Sequence, residues 1–217
     1  PIAIADTLRD RIFIGENKLV LDGIDLAKAG HFDRICIVAC GSSYHSGLLA
    51  KQLIEKLCHI PVEVDLASEF RYRDPLIDAQ TLVIGISQSG ETADTLAAMK
   101  HAKEQGSSLL AICNVLDAAI PRLCRNSAGT LYTRCGPEIS VASSKAFLAQ
   151  VVSLHLLALH IAAFKKVIND AKQRLTMELL SELPRLIEEC LRLEPSIHAV
   201  AQKYVHSRDM LFLGRGH

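Results

Sequence analysis

The sequence predicts a doubly wound α/β domain of the flavodoxin-like kind, with a five-stranded parallel sheet followed by connector helices. Short apolar runs rich in β-branched residues alternate with segments of helical spacing between residues 34 and 132. Three of these runs, at residues 34–39, 81–86 and 108–114, are apolar at nearly every interior position, which is typical of parallel strands covered by helices on both faces. Five strands in about 100 residues fit the flavodoxin-like arrangement.

Helical segments separate the five predicted strands. The strands cover residues 34–39, 62–66, 81–86, 108–114 and 128–132. The helices between them cover residues 43–57, 67–72, 92–105 and 118–124, and a further helical stretch lies within residues 2–11. A long apolar helix starts near residue 142.

The pattern changes beyond residue 163. Residues 169–193 are charged and amphipathic, with an interruption expected at Pro184, and residues 196–206 predict another helix. Residues 210–216 resemble the first strand and turn of a second α/β unit. Because the chain lacks an initiator Met and stops just after that turn, we expect a piece of a longer protein.

These patterns divide the chain into four parts. We expect an N-terminal helical or linker segment (1–30), an α/β domain (31–166), connector helices (167–208) and the start of a truncated second α/β domain (209–217).

Composition excludes several classes of function. The 24 Lys and Arg residues balance the 24 Asp and Glu residues, so the net charge does not favour binding to nucleic acid or to an anionic membrane surface. Seven cysteines occur without a Cys-x-x-Cys pair, and no signal peptide is visible. We therefore expect a cytoplasmic protein with buried, reduced cysteines and no metal.

One apolar stretch, residues 146–164, is long enough to span a membrane. It contains Gln150, Ser153, His155 and His160, whose polar groups are costly at the centre of a bilayer. The two histidines lie about 140° apart on a helix, which does not suit a shared metal. A helix buried in a core or at a subunit interface is the favoured interpretation.

Two strand-to-helix turns carry the candidate chemistry. Residues 40–44 (CGSSY) follow the first strand and residues 87–92 (SQSGET) follow the third. Ligands of open parallel sheets bind at the carboxyl ends of the strands, where the free N–H groups and dipole of each helix favour an anion. Ser87, Ser89 and Thr92 add hydroxyl donors and Gln88 adds an amide, so these turns predict a phosphate site built from neutral donors.

Ordinary helix capping is the alternative, since Ser and Thr are favoured N-cap residues. Two such turns after two strands of one sheet favour a ligand instead. Neither turn has the glycine pattern of a dinucleotide site or the Lys of a nucleoside-triphosphate loop.

Residues 87–95 (SQSGETADT) closely resemble the phosphosugar-binding signature of SIS (sugar isomerase) domains, and residues 40–44 resemble the first loop of that domain. Residues 67–72 (ASEFRY) and 138–147 (EISVASSKAF) narrow the resemblance to the isomerase half of the glutamine–fructose-6-phosphate aminotransferases. Residues 212–216 (FLGRG) resemble the opening of that family's second SIS unit.

This resemblance implies the activity of the whole enzyme. A glutaminase domain releases ammonia from glutamine, and the isomerase half uses it to convert fructose 6-phosphate into glucosamine 6-phosphate for UDP-N-acetylglucosamine biosynthesis. No metal or organic cofactor is implied. The implied ligands are fructose 6-phosphate, glucose 6-phosphate or glucosamine 6-phosphate, and the implied assembly is a homodimer through the isomerase half.

The resemblance also assigns roles to residues of this chain. The residues that it implies for the phosphate are Ser43, Ser87, Gln88, Ser89 and Thr92. It implies that Ser42, the backbone carbonyl of Val141 and the side chain of Ser143 contact the sugar. At position 42 the family usually has Thr. The family's acid and base residues follow the final Gly-Arg-Gly turn, so we expect no catalytic residue here and no turnover by this chain alone.

Two other functions stay open. One is a regulator that senses sugar phosphates without catalysis, which would carry a DNA-binding helix pair before the SIS domain. Residues 1–30 do not clearly supply such a pair. The other is a phosphosugar isomerase with a single SIS domain, which the apparent restart at Met210 disfavours.

Overall fold

The computed structural model describes residues 1–139 and 143–214. Its centre is a five-stranded, wholly parallel sheet with the strand order β4-β3-β5-β6-β7. The strands are β3 (Arg34–Ala39), β4 (Val62–Leu66), β5 (Thr81–Ser87), β6 (Ser108–Cys113) and β7 (Gly129–Tyr132). A two-stranded antiparallel hairpin, β1 (Ile12–Phe13) and β2 (Lys18–Leu19), precedes them. The predicted flavodoxin-like sheet is confirmed, with strand ends shifted by one residue at most.

Helices cover both faces of this sheet, as its apolar strands require. Along β3, Ile35 and Ile37 belong to one hydrophobic core, and Cys36 and Val38 belong to the other. The first core holds residues of α1 (Ile2–Leu8), α2 (Gly41–Cys58) and α6 (Lys145–Phe164). The second core holds residues of α3 (Ala67–Phe70), α4 (Ala93–Glu104) and α5 (Ala119–Cys124).

The long apolar helix α6 is a core helix. It is long and apolar enough to cross a membrane, yet 61% of its most apolar stretch is buried inside the domain. It packs most extensively against α2, and Leu154, Leu157 and Ile161 are fully buried. The preference for a buried helix over a membrane span is confirmed.

The N-terminal segment packs on the domain rather than forming a free linker. Ile4, Leu8 and Leu21 belong to the core shared with α2 and α6. The buried Arg11 donates through Nη1 to the carbonyl of Thr7 and through Nη2 to that of Tyr132. Burial lowers the pKa of this guanidinium to about 10, and these bonds tie the segment to the end of β7.

Two expectations for the C-terminal part are wrong. Pro184 lies inside one continuous helix, α7 (Asp170–Leu191), because apolar side chains on both sides of it, Leu180 and Ile187, contact the core and hold the helix together. Residues 210–213 form no strand and are exposed, since no neighbouring strand pairs with them in the described structure. The last helix, α8 (Glu194–Lys203), buries none of its residues.

Adjacent leucines of α7 test whether this helix belongs to the domain. Leu180 is 5% exposed within the core, whereas Leu179 is 62% exposed. We predict that Leu180→Ala lowers the free energy of unfolding by about 2–5 kcal/mol, as expected for a buried leucine. Leu179→Ala is the matched control and should change it by less than about 0.5 kcal/mol. Equal effects of the two substitutions in urea denaturation would contradict the observed packing of α7.

Candidate functional site

Strand order brings the two predicted turns together. β3 pairs with β4 on one side and with β5 on the other, and Ala39 at the end of β3 pairs with Ile86 near the end of β5. The strand order reverses between β3 and β5, and such a switch point is where open α/β sheets bind ligands. The turns at 40–44 and 87–92 follow these two strands. Their predicted placement at one edge of the sheet is therefore confirmed.

We call residues 87–92 the serine loop. Its hydroxyls bond within the loop: Ser87 Oγ lies 2.8 Å from Thr92 Oγ1 and accepts from Gly90 N at 3.0 Å. Ser89 Oγ accepts from Glu91 N at 3.2 Å. The Ser87–Thr92 pair has two hydroxyl protons and needs only one for its mutual bond. Within the described residues, no protein group accepts the other proton or that of Ser89, so both are available to a ligand.

Side-chain capping does not explain the two turns. The N-cap residues of α2 and α4 are Cys40 and Thr92, and neither side chain makes a capping hydrogen bond. The first N–H groups of these two helices therefore keep their capacity to bind an anion. This geometry favours the ligand interpretation over the capping alternative.

Backbone hydrogen bonds from the residue after β6 and from α5 hold the serine loop in place. Gln88 O accepts from Asn114 N at 3.1 Å, and Gly90 O accepts from Ile120 N at 3.0 Å. Gly90 has φ +70°, and a Cβ there would lie 2.7 Å from Cys113 Sγ and 2.6 Å from Ala118 Cβ. Only glycine fits this close approach without strain.

The acidic groups at the C-terminal end of the loop, Glu91 and Asp94, already have hydrogen-bond or ion-pair partners. Glu91 Oε1 accepts from Ala119 N, the first residue of α5, at 2.7 Å. Asp94, in the first turn of α4, forms a 2.8 Å ion pair with Arg71 Nη1 from the segment after α3. These contacts satisfy two carboxylates that would otherwise repel a bound anion.

Ser42 and Ser43 occupy the first turn of α2. Ser43 is buried and accepts at Oγ from Gln150 Nε2 of α6 at 3.0 Å, whereas Ser42 is partly exposed. Helix α6 thus contacts one of the predicted phosphate residues directly.

Of the other two predicted sugar-binding residues, only Ser143 is described, and it lies just before α6. Val141 lies outside the described residues. Ser143 Oγ accepts from Phe147 N at 3.1 Å, so this hydroxyl bonds to the first turn of α6. Glu138 Oε2 accepts from Ser144 N and Ala146 N at 3.3 and 3.0 Å and fixes the same turn.

Several supporting residues went unrecognised in the sequence. Asn114 links the serine loop to the segment after β7, because its Nδ2 donates to Gly136 O at 2.8 Å and its Oδ1 accepts from Cys135 N at 3.0 Å. Glu91 accepts from a backbone N–H group 28 residues away, which no local pattern reveals, whereas Glu138 accepts from N–H groups six and eight residues further along the chain. Gln150 had a signal, a polar amide within an apolar helix, but its partner became visible only in the structure.

Cys113, next to the site, has no features of a nucleophile. Cys113 lies beneath the serine loop, and burial raises the pKa of its thiol to about 11. Within residues 1–139 and 143–214, no group of three metal-binding side chains was found. The arrangement can bind an anion through neutral donors. The serine loop offers no general acid or base other than Glu91, which is hydrogen-bonded to Ala119 N.

The sequence matches the SIS domain family over residues 26–160, which include both turns. The chain belongs to the SIS domain family. This family, inferred above from the motifs at 40–44 and 87–95, is thereby confirmed.

Individual relatives extend the match to the whole chain. Glutamine–fructose-6-phosphate aminotransferase (isomerizing) of Clostridium tetani is 45% identical over 100% of this chain and 35% of its own length. The same enzyme of Mycobacterium tuberculosis H37Rv is 46% identical over 99% of the chain and 34% of its own length. The chain therefore corresponds to the SIS region of these enzymes and spans about a third of their length.

Solved structures agree with the sequence relatives. The C-terminal domain of glucosamine-fructose-6-phosphate aminotransferase from Francisella tularensis superposes with a TM-score of 0.91 at 37% identity, covering 100% of this chain and 60% of that one. Glucosamine-6-phosphate deaminase from Thermotoga maritima, at 21% identity and a TM-score of 0.59, covers 86% of this chain and 54% of that one and shares the fold alone.

Proposed function

We propose that this chain binds the phosphate of a hexose phosphate at the switch point between β3 and β5. The candidate ligands are fructose 6-phosphate, glucose 6-phosphate and glucosamine 6-phosphate. The observation that carries the proposal is the pairing of β3 with β5, which sets two helix N-termini without side-chain caps beside the hydroxyls of the serine loop. Each helix end contributes about half a positive charge towards the anion.

The phosphate is proposed to take its hydrogen bonds from residues on both sides of the switch point. These residues are Ser43, Ser87, Gln88, Ser89 and Thr92. Ser42, the carbonyl of Val141 and Ser143 are proposed to contact the sugar. Since these donors are uncharged, the phosphate is bound without a Lys or Arg of the two turns, which suits a metabolite that must exchange.

The proposed activity of the longer protein is that of an isomerizing glutamine–fructose-6-phosphate aminotransferase, which makes glucosamine 6-phosphate. This chain would supply the substrate-binding part of the isomerase half, with acid and base residues provided elsewhere. Relatives that match the full length of the chain, beyond the SIS domain itself, support this assignment over a sensing regulator or a single-domain isomerase. No turnover is expected from the chain alone.

The domain organisation follows from the same proposal. Residues 167–208 would connect the SIS domain to a second SIS unit that begins within 209–217. Exposed apolar side chains support a covering partner there, including Ile197 and Val200 of α8 and Leu211 and Phe212 beyond it. The seven free cysteines support a reducing, cytoplasmic location.

Calorimetric titration with glucose 6-phosphate tests the binding site. We predict saturable binding by the wild-type chain and no binding of unphosphorylated glucose at the same concentration. Ser89→Ala and Thr92→Ala should each weaken binding about tenfold or more, because a hydrogen bond to a charged group is lost.

Ser196→Ala is the matched control, since Ser196 is exposed on α8, far along the chain from the site. Its affinity should equal that of the wild type. Absence of heat with the wild type, or equal affinity after Ser89→Ala and Thr92→Ala together, would refute the proposed site.

We also propose that two copies associate through the face formed by α2 and α6. Leu49 of α2 and Leu148 of α6 are exposed there, beside a groove of about 450 Å³ that is lined by Leu53, Val151 and His155. A second copy is the proposed occupant because the apolar side chains of α8 and residues 210–213 provide a separate surface for the second SIS unit.

Sedimentation tests this association. We predict a dimer for the wild-type chain and a monomer for Leu49→Lys, which places a charge in the apolar contact. Leu179→Lys, on the exposed side of α7, should leave the dimer intact. A monomeric wild type, or a dimer that survives Leu49→Lys, would contradict the proposed interface.

A further inference from the structure

Gln150 is a polar side chain enclosed in the most apolar helix of the chain. It is 2% exposed, and its neighbours in α6 include the fully buried Ala149 and Leu154. Burying an amide costs free energy unless its polar atoms are hydrogen-bonded. A buried Gln in such a helix therefore calls for a specific partner.

That partner is in the first turn of α2. Gln150 Nε2 donates to Ser43 Oγ at 3.0 Å, and Gln150 Oε1 lies 3.4 Å from Ser46 Oγ. Ser46 Oγ in turn donates to Ser43 O at 2.7 Å. The amide thus bonds directly to the side chain of Ser43, and its oxygen faces the hydroxyl that donates to the Ser43 carbonyl.

The direction of the first hydrogen bond determines what Ser43 can do. A serine hydroxyl has one proton and two lone pairs. Because Gln150 donates to Ser43 Oγ, it occupies a lone pair and leaves the proton unused. Within residues 1–139 and 143–214, no hydrogen bond donated by Ser43 Oγ is found. The hydroxyl remains a donor at the helix N-terminus that faces the switch point.

We propose that Gln150 is a positioning residue, which presents the hydroxyl proton of Ser43 to the phosphate of the bound sugar. This inference rests on the proposed function and extends it to a residue that lies behind the site. Gln150 acts through Ser43 and does not touch the ligand. A carboxamide is suited to this position, since a carboxylate would accept the proton that the phosphate requires.

A double-mutant cycle on glucose 6-phosphate affinity tests the proposal. Ser43→Ala should weaken binding about tenfold or more through loss of a hydrogen bond to a charged group. Gln150→Met, of similar length but without the amide, should weaken it about fivefold or more and no further than Ser43→Ala. In the Ser43→Ala background, Gln150→Met should have no additional effect.

Controls separate this role from a structural one. Gln52→Met, at an exposed position of α2, should leave affinity unchanged. Unfolding temperatures identify variants that do not fold, and the shorter amide of Gln150→Asn, which cannot reach Ser43, replaces Gln150→Met if that variant is unfolded.

Each outcome has a distinct meaning. Equal losses from Gln150→Met in the wild-type and Ser43→Ala backgrounds would overturn the positioning role while leaving the binding site intact. The same conclusion follows if Gln150→Met binds like the wild type. Failure of the wild type to bind glucose 6-phosphate would overturn the proposed function and this inference with it.

Discussion

The parallel pairing of β3 with β5 is the constraint on which the candidate site depends. The helices that follow these strands, α2 and α4, pack on opposite faces of the sheet, because each belongs to a different hydrophobic core. Their N-termini diverge from neighbouring strand ends and leave a crevice between them. The free N–H groups, the helix dipoles and the hydroxyls of two turns meet there only because this pairing fixes their separation.

Around that crevice, hydrogen bonds hold neutral donors in place, and the nearby carboxylates are already hydrogen-bonded or ion-paired. The serine loop is hydrogen-bonded to Asn114 and Ile120, Glu91 bonds to the first N–H of α5, and Asp94 pairs with Arg71. On the other side, α6 contacts Ser43 through Gln150. A rigid set of uncharged donors loses little entropy on binding and suits a phosphate that must leave again. This is why we assign sugar-phosphate binding to the site rather than a tightly held nucleotide.

The sequence predicted local features well and contacts between distant residues poorly. Strands β3, β5 and β6 were recognisable because burial on both faces demands continuous apolar runs, and the serine loop because hydroxyls and glycine cluster within six residues. The strand expected at 210–213 is absent, since a strand needs a neighbour that sequence alone cannot supply. Pro184 does not break α7, because tertiary contacts on both sides outweigh one lost backbone bond. The part played by Gln150 required knowing that α6 packs on α2.

The central claim is that the phosphate sits between the serine loop and the first turn of α2. A crystal structure of the chain soaked with glucose 6-phosphate tests it most directly. The account predicts phosphate oxygens at about 2.6–3.1 Å from the hydroxyls of Ser43, Ser89 and Thr92, with backbone N–H groups of both helices directed at the anion. A phosphate bound elsewhere, such as the cleft beside β7 lined by Lys28 and Arg125, would contradict it.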